Sequence, residues 1–291
     1  MDILMNYTFQ IVALGSVILA VAAAPIGAFS VYKGQSLIGD AIGHSTFPGI
    51  ILAYMAFATR SPVILLAGAI AAGAASYALI QLAHRDKRLG LDANLAIFLS
   101  GFFGLGMALK SFIQGNPDYA GASQAGLGTY IFGQAAYMLE ADVLLIAVVS
   151  ALVLTLLLLF YKELKLFVFD AEYAEVVGLP CRLLNLLLLV MTIAVIGIGI
   201  KAVGAILISS FLIIPCVAAN QWSNNFARVL LLSSLIGAVS ALVGTYISTL
   251  EQGMSTGPSI ILVASLIAFF SIVFGTKGIL GRVLKRRRTH G

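Results

Sequence analysis

Long apolar runs, each near the length that carries an α-helix across a bilayer, follow one another through almost the whole chain. A crossing takes about 20 residues at a rise of about 1.5 Å each. Nine candidates stand out, at 9–31, 36–57, 62–83, 94–110, 141–161, 183–200, 203–219, 228–249 and 258–275. The fourth, sixth and seventh are short, so eight or ten crossings also fit the pattern. Hydrocarbon offers no water to unpaired backbone groups, which forces such runs into helices. The chain therefore reads as an all-α, polytopic membrane protein of about nine (eight to ten) transmembrane helices. Pro25, Pro48 and Pro215 fall inside runs, where neighbouring helices can satisfy the carbonyls that a proline frees. Of the 291 residues, 60% are hydrophobic and 10% charged, against about 25% charged in soluble domains. Folding alone does not hide that much apolar surface, and lipid has to be the solvent.

No polar stretch is long enough for a second folding unit, so residues 1–291 read as a single transmembrane domain ending in a basic tail, 276–291. The net charge of +5 bears first on orientation, because Lys and Arg collect in cytoplasmic loops. With nine crossings and an outside N-terminus, 14 of the 17 basic residues fall inside, leaving Arg60, Lys110 and Lys201 outside. The opposite topology reverses that ratio, so the C-terminus is expected in the cytoplasm. Lys285, Arg286, Arg287 and Arg288 then lie just inside the membrane, as a topology anchor or as a contact for anionic lipid headgroups. Nucleic-acid binding would need a basic face on a soluble module, and none is visible. No basic residue precedes Lys33, so the positive start of a secretory signal is missing and the first apolar run is expected to stay. Cys181 and Cys216 have neither CxxC nor zinc spacing and read as buried or membrane-embedded thiols.

One apolar run carries charge. The stretch from Gly34 to Tyr54 holds Asp40 and His44. Residues four apart share a helix face with Cβ atoms roughly 6 Å apart, close enough for a carboxylate and an imidazole to hold one small cation. A charged group in a membrane segment is expensive and marks an ion or substrate path. Carboxylate with imidazole suits hard or borderline first-row ions, and no thiolate is nearby to select softer ones. Two ligands suit a passing site, because full satisfaction of the ion would prevent release. The plainer alternative makes Asp40 a helix-start residue after Ser36, with His44 bonded to a neighbour. Further on, small residues at 202, 204, 205, 209 and 210 permit close helix approach. Ser209 and Ser210 either line a polar path or, as this reading favours, bond to their own backbone. The run after Ser255-Thr256-Gly257-Pro258-Ser259 opens with a cap and a turn.

Two connections have character. Between Ser111 and Glu140 a Gly-rich stretch contains the apolar piece 127–132, which can dip back into the membrane as a connector, a lid or a docking surface. From Phe169 to Pro180 the pattern is a short amphipathic helix, with Asp170 as N-cap, acidic residues in the first turns, and Gly178 and Pro180 to stop it. It is either an ordinary surface helix or a plug for a cytoplasmic partner. No Gly-x-x-x-x-Gly-Lys-Ser/Thr phosphate loop exists, so energy for any pumping must come from a partner or a gradient.

Taken together these blocks resemble the permease subunits of ABC importers for manganese, zinc and ferrous iron. The match rests on Gly34, Gly39, Asp40, His44, Pro48 and Gly49 in the first block and on Gly204 through Pro215 in a second. It also rests on a coupling segment around Asp170, Glu172, Ala174 and Gly178, and on Gly257-Pro258-Ser259. Gly43 is the usual small residue after Ile42, whereas Ser45 stands where Ala is common and Cys216 where a small residue often follows the Pro. The resemblance implies an ABC importer permease fold, not an enzyme, working as a homodimer with separate cytoplasmic ATPase subunits and an extracytoplasmic metal-binding protein. It implies a bacterial plasma (inner) membrane, no permanently bound cofactor, and a divalent Mn²⁺, Zn²⁺ or Fe²⁺ ion passing Asp40 and His44. Other readings are a permease for a larger metal chelate such as haem or a siderophore, and a secondary metal transporter, although the halves show no obvious inverted repeat. A membrane-embedded enzyme lacks a motif: there is no His-Glu-x-x-His, and Leu37 breaks the Gly-x-Gly-Asp of intramembrane aspartyl proteases.

Overall fold

The computed structural model describes residues 6–59, 61–84, 90–116, 119, 138–204, 208–250 and 254–280. Within them the regular structure is helical: α1 (Tyr7–Tyr32), α2 (Ile38–Phe57), α3 (Pro62–His84), α4 (Leu91–Gly115), α5 (Glu140–Leu159), α6 (Tyr161–Phe169), α7 (Ala171–Val176), α8 (Cys181–Val203), α9 (Ile208–Asn220), α10 (Phe226–Leu250) and α11 (Thr256–Phe274). Their starts follow from local chemistry. Asn6 Oδ1 accepts the Thr8 N–H at 2.9 Å ahead of α1, Asp142 Oδ2 accepts the Leu139 N–H at 2.8 Å ahead of α5, and Asn225 Oδ1 accepts the Ala227 N–H at 3.0 Å ahead of α10. Each satisfies an amide that the helix start leaves without an intrahelical partner.

Seven of these helices are long and apolar enough to cross a membrane: α1, α3, α4, α5, α8, α10 and α11. Among the described residues the expected nine crossings are thus not confirmed; seven helices of that kind are present there. The other two candidates are α2, 20 residues long, and α9, an apolar helix of 13 residues. Asp40, His44, Ser45, Thr46 and Pro48 dilute the apolar character of the first half of α2, while α9 falls below the length that spans hydrocarbon. The seventh candidate was expected to begin at residue 203. Val203 instead closes α8, and Gly204, at φ +99°, breaks the chain before α9; that φ suits only a residue without Cβ.

Centre and rim are set by how much of each helix is covered. Within its most apolar window α1 is 72% buried and α8 61%, whereas α4 is only 11% buried. The inner helix α1 packs against α5, α8, α9 and α10, and α2 packs against α3 and α4. Small residues allow these approaches, since lipid is as apolar as leucine and packing has to come from contact. A Cβ on Gly49 would lie 2.2 Å from the Gly68 carbonyl oxygen, and one on Gly68 would lie 2.4 Å from that of Gly49, so α2 and α3 touch backbone to backbone. A Cβ on Gly27 would meet the Leu212 carbonyl oxygen at 1.9 Å, which seats α9 against α1. Pro25, Pro48 and Pro215 all lie inside helices, as expected.

Candidate metal-transit site

Asp40 lies in the first turn of α2 and His44 one turn later. The His44 Nε2 is 3.5 Å from Asp40 Oδ1, so the predicted pair is in contact. The carboxylate side chain is 31% exposed and the imidazole 12%, giving one reachable anion beside a largely covered ring. Ser209 Oγ, in the first turn of α9, donates to Asp40 Oδ1 at 2.9 Å. This contact brings the Ser209 hydroxyl from the short α9 onto α2, as a side chain lining a polar path would be. The plainer alternative for Asp40 holds in one respect: a carboxylate in the first turn faces the positive end of the helix dipole. It does not cap α2, whose N-cap is Leu37.

Neighbours fix the pair's geometry. The Phe103 ring of α4 stands edge-on to the His44 ring, with centroids 4.9 Å apart and planes at 87°. Phe103 also lies near Phe47, at 6.2 Å between centroids. On the other flank Ser45 Oγ donates to the Ala41 carbonyl at 2.6 Å and lies 2.7 Å from Ser76 Oγ on α3. The His44 Nδ1 is buried and has no hydrogen-bond partner among the described residues. Such an atom carries a desolvation penalty of about 1–3 kcal/mol until something meets it. No group of three or more His, Cys, Asp or Glu side chains able to hold a metal ion occurs among the described residues. Among the described residues the pair therefore presents two donor groups and no closed cage.

The remaining block residues frame this pair. Gly34, at φ +72°, turns the chain after α1, and its N–H bonds the Val31 carbonyl at 3.0 Å. Gly39 faces a Leu212 methyl 3.3 Å from where its Cβ would be, Pro48 packs under Gly106 of α4, and Pro215 is buried within α9.

At the connection from α5 to α8, Asp170 Oδ1 accepts the Tyr173 N–H at 2.9 Å, which makes it the N-cap expected from the sequence. Glu172 is exposed in the first turn, Ala174 is fully buried, and Gly178, at φ +86°, follows the helix end. The expected single helix over 169–180 is corrected: α7 covers only Ala171–Val176, and Phe169 closes a separate helix, α6. The buried Leu164 and Phe167, three residues apart, are the signal that would have found α6. Phe169 joins Tyr32 of α1 (5.3 Å) and Phe226 of α10 (5.2 Å) in an aromatic cluster that the sequence did not single out. The apolar dip at 127–132 and the basic tail at 285–288 lie outside the described residues.

Fold and site define a polytopic helical membrane protein with an acid and an imidazole paired inside its bundle. The family described as the ABC 3 transport family matches residues 5–275, and the chain belongs to that family. The zinc transport system membrane protein TroC of Treponema pallidum is 38% identical over 289 residues, covering 99% of this chain and 96% of that protein. The manganese transport system membrane protein MntC of Bacillus subtilis is 38% identical over 285 residues, with 96% of this chain aligned to 65% of a longer protein. Among solved structures, a chain of PsaBC from Streptococcus pneumoniae in complex with Fab superposes with a TM-score of 0.85 at 27% identity, covering 98% of both chains. A metal-chelate type ABC transporter in an inward-facing conformation shares the fold alone, with a TM-score of 0.69 at 18% identity over 90% of this chain and 85% of that one.

Proposed function

We propose that this chain, a single permease domain over 1–291, is the membrane-spanning subunit of an ATP-driven importer of divalent transition metal ions in a bacterial plasma membrane. It is a transport subunit, not an enzyme; ATP is hydrolysed by a separate cytoplasmic subunit. Manganese and zinc are the cargoes named for its relatives, while ferrous iron rests only on the chemistry of the donor pair. The observation that carries the reading is the 3.5 Å contact between Asp40 and His44, inside a chain of a transport family.

Two copies around a two-fold axis would bring two carboxylates and two imidazoles to one path, which supplies the ligands that a single chain lacks. The exposed, acidic α7, capped by Asp170 and tied to the bundle through Phe169, gives the ATPase a handle on α1 and α10. An extracytoplasmic binding protein delivers the ion at the opposite face. A chelate permease would have a wider path and no use for an acid and an imidazole in contact.

The test is accumulation of Mn²⁺ and Zn²⁺ in cells carrying Asp40→Ala or His44→Ala at matched membrane levels. Either change is expected to lower accumulation by about 10–100-fold, the range in which a lost metal-site group acts. Normal accumulation of both ions in both variants removes the site.

A further inference from the structure

We infer that Ser209 is a third, oxygen ligand of the transit site and tilts it toward manganese over zinc; this deepens the reading above and rests on it. Two atoms bound to one dication at about 2.0–2.4 Å and roughly at right or tetrahedral angles lie about 2.8–3.9 Å apart. The separation of Asp40 Oδ1 from His44 Nε2 is 3.5 Å, and that from Ser209 Oγ is 2.9 Å. Each neighbour thus lies at a distance from Asp40 Oδ1 that two ligands of one ion can have.

A hydroxyl has one O–H donor and two acceptor lone pairs. Ser209 can keep its proton on the Asp40 carboxylate while a lone pair turns to the ion, so no proton leaves and no bond is broken. The hydroxyl comes from α9, a short helix seated on α1 by the Gly27–Leu212 backbone approach and on α2 by a Leu212 methyl against Gly39, so packing sets its position. Ser209 itself is only 5% exposed, which keeps competing water from it.

Its chemical effect follows from ligand hardness. For a given set of N and O donors, affinity runs higher for Zn²⁺ than for Mn²⁺, so discrimination has to come from ligand type and number. Imidazole favours zinc, whereas carboxylate and neutral oxygen suit manganese. A second oxygen beside Asp40 offsets the pull of His44 and adds to the coordination number without adding charge.

The test measures initial uptake of radioactive Mn²⁺ and Zn²⁺ in cells carrying the whole transporter, at matched membrane levels. Ser209→Ala is expected to lower the Mn²⁺ to Zn²⁺ uptake ratio about tenfold, a typical loss for a metal-site partner. Ser209→Thr, which keeps the hydroxyl, is expected to hold the ratio near that of the parent. Ser209→Cys, similar in volume but soft, is expected to lower the ratio further by favouring Zn²⁺. An unchanged ratio in Ser209→Ala, or an equal loss of both ions in all three variants, overturns the assignment as ligand and leaves only packing. Asp40→Ala and His44→Ala run alongside: if these transport normally, the site itself fails, whereas their loss with an unchanged Ser209→Ala ratio sinks the Ser209 assignment alone.

Discussion

Lys33 follows the last residue of α1, one position before the turn at Gly34. Its ammonium donates to Asn185 Oδ1 of α8 and lies 4.9 Å from the centroid of the Phe167 ring of α6. Burial lowers its pKa from 10.5 to about 8, because leaving water penalises the charged form. Below about pH 8 the folded and unfolded chains both carry the proton, and the penalty is constant. Between about 8 and 10.5 the unfolded chain holds a proton that the folded chain has released, so stability rises with pH through that window. Melting of the purified protein in detergent is expected to rise over this range, and Lys33→Met is expected to flatten the rise. An identical slope in the variant would exclude the effect. Residues also differ in how far they can be read from sequence. Asp40 and His44 were legible because four positions on one helix fix their distance. Ser209 was legible only as one candidate for a polar path, since its partner is 169 positions away and only tertiary packing joins them.

At the scale of elements, the α2–α3 contact is the tightest constraint on the helix that carries the pair. Gly49→Ala would drive a methyl into the Gly68 carbonyl, which cannot turn aside as a side chain would. Overpacking of this kind costs about 1–3 kcal/mol, so a lower melting temperature and reduced uptake are expected together. Gly101→Ala on α4, where nothing lies within 4 Å, serves as the control; it is expected to be neutral or to stabilise by up to about 1 kcal/mol. Equal melting of the two variants would contradict the packing argument. Element boundaries were legible where propensity and capping agree, as at Asp170. They were missed where one glycine decides: the break at Gly204 needs φ +99°, and hydropathy runs straight through it. The helix α6 is harder to read because Lys162, Glu163 and Lys165 interrupt its apolar residues, although it keeps Leu164 and Phe167 inside.

For the whole molecule, the seven strongly apolar helices were visible as runs because lipid imposes length and composition on any helix that crosses it. The less apolar α2 and the short α9 were visible as runs too, yet they carry the polar contact, so the helices that fit lipid worst build the site. Orientation rests on the basic residues: 14 of 17 lie on one side in the nine-crossing reading. A fluorescent protein fused after Gly291 is accordingly expected to fluoresce, and alkaline phosphatase at the same point to stay inactive. The reverse pair of results would invert the topology and put α7 out of reach of a cytoplasmic ATPase. One more consequence comes from α4, the helix with least cover, whose Phe103 nevertheless leans on the His44 ring. A greasy molecule wedged against its bare outer side would nudge that ring by way of a single phenyl group. It would block uptake from within the bilayer, and raising the concentration of metal would not relieve the block.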